Sequence, residues 1–105
     1  MLKPYWLSLF IDFFGMIKER LIAIIKWKGI KNPELEELTG ISRYTWQNIR
    51  NKPDRAIKEE EIEAIAALYP EYRLWLISGE VAPEIGQTSP EYDEANATLK
   101  QRGEG

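Results

Sequence analysis

The sequence contains neither cysteine nor histidine. Without cysteine there is no disulfide framework, no thiolate nucleophile and no Cys-ligated zinc or iron–sulfur centre. Without histidine the commonest general base and metal ligand is gone, and with it any Ser-His-Asp or Cys-His triad. Long apolar runs are missing too. The oiliest stretch, residues 5–17, is interrupted by Asp12 and falls well short of the ~20 residues a membrane span needs. Only Lys3 precedes it and no small-residue cleavage site follows, so no secretory signal is expected. No glycine-rich phosphate loop appears, because Gly29, Gly40 and Gly79 sit where helices should stop. Carboxylates are plentiful, but Glu59, Glu60, Glu61 and Glu63 read as a solvated helix face. Asp12, alone in an apolar stripe, reads as a surface or interface contact rather than a catalyst. These features argue against an enzyme and imply no metal, no cofactor and no evident small-molecule ligand.

What is present is ample core material. The 105 residues are 44% hydrophobic, with four Trp, five Tyr and three Phe, enough for one globular core. The net charge of −3 is unevenly spread: residues 1–16 are neutral, 17–58 carry +5 and 59–105 carry −8. A basic middle masked by an acidic second half suits a polyanionic partner.

No convincing strand and no internal repeat appear, so the expected class is all-α. Trp6, Phe10, Phe13, Ile17, Ile24 and Trp27 recur at helical spacing, with Leu7, Ile11, Phe14, Leu21 and Ile25 in a second stripe beside them. Only Ser8, Asp12, Gly15 and Glu19 make a polar line. A helix apolar over most of its circumference needs cover on two sides: the domain core, and a partner. Trp6, Phe10, Phe13 and Phe14 are therefore candidate homodimer contacts. A membrane-surface anchor is disfavoured, since residues 5–17 lack a basic polar face. Gly15 is expected to split an N-terminal arm from the longer helix.

Gly29 ends that helix. Asn32 as N-cap and Pro33 as first residue open a second, short helix that Gly40 stops. Ser42 caps a third, running from Arg43 to about Asn51, where Lys52-Pro53 ends it. Residues 58–69 form a fourth, with Ile57, Ile62, Ile65, Ala66 and Leu68 inward. Pro70 starts a short fifth that Ser78-Gly79 stops. Residues 80–105 read as an acidic, partly irregular tail in which Ser89-Pro90-Glu91 can open a short helix reaching Leu99. The organisation is thus an arm (1–15), a helical domain (16–79) and the tail (80–105).

Aligned on Gly40, Leu35, Ile41, Trp46 and Ile49 occupy the positions at which a helix–turn–helix buries apolar side chains. The opposite face of the third helix carries Ser42, Arg43, Tyr44, Gln47, Asn48 and Asn51, with Thr45 at its edge and no carboxylate. Such a face suits base edges and phosphates. On these residues the segment 16–79 resembles the lambda-repressor-like (Cro/C1-type) helix–turn–helix domain of prokaryotic and phage regulators. The stretch 39–51, followed by Pro70-Glu71-Tyr72-Arg73-Leu74-Trp75-Leu76, is similar to a narrower group of proteobacterial and prophage DNA-binding proteins. Two positions depart from the family pattern. Glu36 stands where a small residue is usual, and Thr39 where a large aliphatic is usual, which predicts a rotated or bulged second helix.

The resemblance implies a five-helix bundle, here with an extra apolar N-terminal segment and an irregular acidic tail. It also implies a cytoplasmic, homodimeric regulator, a repressor by expectation, that reads double-stranded DNA. Arg43, Tyr44, Gln47, Asn48 and Asn51 would face bases. Asn32, Ser42, Thr45, Arg50, Lys52 and Arg55 would hold phosphates. Pairing of Arg50 and Arg55 with residues 59–63 is the competing expectation for those two cations, and core burial is expected for Trp46 and Trp75. The rival function is a protein-interaction module or antitoxin that reuses the fold, its acidic half engaging a basic partner.

Overall fold

A computed structural model describes the backbone of residues 5–101, and side chains at Phe13 and over 15–99. Six α-helices follow one another: α1 (Tyr5–Lys28), α2 (Asn32–Thr39), α3 (Arg43–Asn51), α4 (Glu59–Leu68), α5 (Arg73–Ser78) and α6 (Pro90–Gln101). Single 3₁₀ turns at Pro70–Tyr72 and Pro83–Ile85 precede α5 and α6. No strand occurs among the described residues. The protein is an all-α bundle. No described helix is long and apolar enough to cross a membrane.

Most of the core forms where the apolar spacing places it, although Trp27 of the first stripe is exposed. Ile17, Leu21, Ile24 and Ile25 of α1 meet Leu35, Trp46, Ile49, Ile62, Ile65, Tyr72 and Leu76, all buried. Trp75 is only half-buried against this cluster. Helix α1 packs on α4, α5 and α6, while α2 packs on α3 and α4.

Two local expectations change and a third holds. Helix α1 runs without a break through Gly15, because nothing crowds that residue and one glycine weakens a helix by only ~1 kcal/mol. The N-cap of α2 is Lys31, whose N–H donates to Glu34 Oε1 at 3.4 Å, one residue before the expected cap. In the tail, a single 3₁₀ turn at Pro83–Ile85 precedes the helix expected to open at Ser89-Pro90-Glu91, which forms as α6, Pro90–Gln101. Ser89 caps it: its hydroxyl accepts the Tyr92 N–H at 3.0 Å. Two side chains, Tyr72 and Gln87, tie this end down. The Tyr72 hydroxyl donates to Asp93 at 2.5 Å. Gln87 accepts the Leu74 N–H at 3.0 Å and donates to the Pro70 carbonyl at 3.0 Å. Burial, reinforced by that bond to Asp93, pushes the Tyr72 hydroxyl well above its ordinary range.

Candidate nucleic-acid interface

The turn between α2 and α3 is built around one hydroxyl. Gly40 takes φ +76°, a left-handed conformation that other residues adopt only under strain. Thr39 Oγ1 donates to the Leu35 carbonyl at 2.5 Å and accepts the Ile41 N–H at 3.2 Å and the Trp46 indole N–H at 3.3 Å. One donor and two lone pairs are thereby all used. Glu36 serves the start of α3: its Oε2 accepts the Arg43 N–H at 2.8 Å, and its Oε1 accepts Arg43 Nε and Nη2 at 3.1 and 2.9 Å. Ser42 adds a cap by accepting the Tyr44 N–H at 3.2 Å. The second helix carries no bulge. α2 is α-helical to Thr39, and both atypical residues find hydrogen-bonding roles in the turn.

Helix α3 buries Trp46 and Ile49 and turns its other face outward. Tyr44 is 69% exposed; Ser42, Arg43, Gln47, Asn51 and Lys52 are exposed, and Thr45 and Asn48 half-buried. The candidate base-facing residues therefore share one surface. That surface is not free of carboxylates, because Glu36 reaches its N-terminal edge from α2.

Of the bases on and just after α3, Arg43 and Arg55 already have carboxylate partners, whereas Arg50 and Lys52 have none among the described residues. The hydrogen-bonded Glu36 carboxylate raises the Arg43 guanidinium, and Arg43 in turn holds Glu36 below the usual carboxylate range. Arg55 grips Glu61 through two bonds of 2.9 and 2.6 Å, the pairing its competing expectation named. Burial works to raise the Glu61 carboxyl, but Arg55 and the Lys58 N–H outweigh it and hold it low. Lys18, one of the ten bases of the +5 segment, is buried. Its ammonium donates to the carbonyls of Lys52, Pro53 and Arg55 at 2.8, 3.4 and 2.6 Å, closing the exit of α3.

Arg50 differs. Its Nε donates to Asn32 Oδ1 at 2.8 Å and its Nη2 to the Ile30 carbonyl at 2.7 Å. No described carboxylate pairs with it, and burial pushes its guanidinium below the ordinary range. Asn32, freed from capping, is thus an orienting partner of Arg50. Both line an open cleft of about 370 Å³ at the start of α2, together with Lys26, Gly29 and Lys31. Lys26 and Lys31 were not among the expected contacts; their positions on either side of Gly29 are the signal that finds them. Of the candidate dimer contacts, Phe13 is 43% exposed, and the side chains of Trp6, Phe10 and Phe14 lie outside the described residues.

Compared with solved structures, the chain is similar to Pf6r from the filamentous phage Pf6 of Pseudomonas aeruginosa PA01. The two share 44% identity over 80% of this chain and 96% of that one, with a TM-score of 0.72. The chain belongs to the Pf6r family. No protein-family model matches it, and no curated protein does. The similarity to Pf6r covers nearly all of that chain, so the two share the helical bundle described above.

Proposed function

We propose that the protein is a sequence-specific double-stranded-DNA-binding transcriptional regulator, a repressor of phage type acting in the cytoplasm, with α3 in the major groove. The observation that carries this reading is Arg50. A half-buried guanidinium with no carboxylate partner among the described residues, at the rim of a cleft lined by Lys26, Lys31 and Asn32, wants an anion. A backbone phosphate seated there would set α3 against base edges. Tyr44, Gln47 and Asn51 then face bases directly, with Asn48 beside them. Ser42, Thr45 and Lys52 lie toward the backbone. Arg55, already bidentate with Glu61, takes the smaller share. The kinship with a filamentous-phage protein fits a regulator of this type.

The active form is a homodimer, because paired half-sites call for two recognition helices and α1 leaves Phe13 and Met16 exposed. The neutralised state of Arg43 and Arg55 favours one rival, a protein-interaction module. Selection of genomic DNA fragments with the purified protein separates the two. A DNA regulator enriches a defined sequence, loses affinity steeply with salt, and weakens on that sequence when Gln47→Ala or Arg50→Ala is introduced. If no sequence is enriched at low salt and neither change matters, the DNA reading is wrong.

A further inference from the structure

We infer that Glu36 is a positioning residue for base reading: by gripping one edge of Arg43 it presents the other to the major groove and sets a preference for guanine there. This rests on the DNA-binding reading above. Arg43 is the first residue of α3, the end of a recognition helix that enters the groove. Glu36 holds it twice. The bond from the Arg43 N–H fixes the carboxylate against the helix, and the carboxylate then fixes the guanidinium.

The edge it takes matters. A guanidinium offers its donors in a rigid fork. Nε and the near hydrogen of Nη2 form the side-on edge, which is turned to Glu36 Oε1. Nη1 and the outer hydrogen of Nη2 remain, and that end-on pair matches O6 and N7 of guanine. An unrestrained arginine has both edges and many rotamers, and serves phosphates as readily as bases. Glu36 removes that freedom. Its charge also cancels the attraction of Arg43 for the backbone, so the pair contributes selectivity rather than bulk affinity.

The test uses the full chain and the DNA sequence it enriches, with every base pair of that sequence substituted in turn. Glu36→Gln keeps an acceptor for the Arg43 N–H, so the start of α3 stays capped. Wild type shows one guanine whose replacement Arg43→Ala no longer senses. Glu36→Gln loses roughly three- to tenfold of the preference at that base pair alone. Its binding to unrelated duplex tightens, with the log–log salt slope steeper by about one. Glu36→Gln added to Arg43→Ala changes discrimination at that base pair no further, whereas a Glu36 variant that merely folds poorly weakens binding in both backgrounds, so the pair of backgrounds keeps the test decisive. A preference at that guanine unchanged in Glu36→Gln, or equal weakening on specific and unrelated DNA, overturns the inference and leaves the DNA reading standing. Failure of the wild type to bind any duplex overturns both.

Discussion

Thr39 and Trp46, on opposite sides of the Gly40 turn, share a hydrogen bond of 3.3 Å from the indole N–H to the hydroxyl. Trp46 is fully buried, so its indole has no water to fall back on. Thr39→Val keeps the shape but strands that donor and the Ile41 N–H. It should lower stability by about 1.5–3 kcal/mol, read as an earlier urea midpoint at unchanged m-value. Thr39→Ser, which retains the hydroxyl, should stay within about 1 kcal/mol of wild type.

Lys18 collects three carbonyls beyond the end of α3. Lys18→Met preserves the stem and removes the ammonium. The expected loss is about 2–3 kcal/mol, and amide exchange should quicken first in residues 52–56. An unchanged exchange pattern there would contradict the clamp.

Gly15→Ala should stabilise the protein by about 0.5–1 kcal/mol. The added methyl meets nothing within 4 Å, and the helix is continuous on both sides. A loss of stability would mean that the chain does break there.

The Glu61 carboxyl sits below its ordinary range in the folded state. A depressed acid stabilises the fold above its unfolded pKa, about 4.3, and that contribution disappears as pH falls through the lower folded value. Glu61→Gln should therefore cost about 2–4 kcal/mol at pH 7. The gap to wild type should narrow below about pH 4. Thermal melts of the two proteins between pH 7 and pH 2.5 check the sign.

On the enriched DNA, Gln47→Ala should lose about 1–3 kcal/mol against one base pair and relax discrimination there. Lys52→Ala should weaken all duplexes alike and reduce the salt slope by about one. Identical profiles for the two variants would dissolve the division between base and backbone contacts.

The bundle and its turn were legible because they follow from spacing. Leu35, Trp46 and Ile49 are placed by period and by Gly40, whatever the rest of the chain does. Ser42 as a cap is equally local. What escaped depended on contacts distant in sequence. Lys18 entered only the charge count of residues 17–58, because the carbonyls it meets lie 34 to 37 residues away. Asn32 resembled a cap because Arg50, 18 residues on, was not in view. Glu36 and Thr39 stood out as departures, but a pattern registers only that a residue is unusual. Its hydrogen bonds state why it is there. The charge tally is coarse for a related reason: summing cations treats each as available, whereas Arg43 and Arg55 already have carboxylates.

The unbroken course of α1 has a geometric consequence. Lys18 bolts this rod to the exit of α3, and a helix advances 1.5 Å and turns about 100° with each residue. Anything gripped by the first turns of α1 is therefore held at a fixed azimuth to the surface carrying Tyr44 and Gln47. Inserting one residue ahead of Gly15 would swing that grip through about a quarter of a circle, leaving the core and that surface untouched. The rod converts sequence length into orientation.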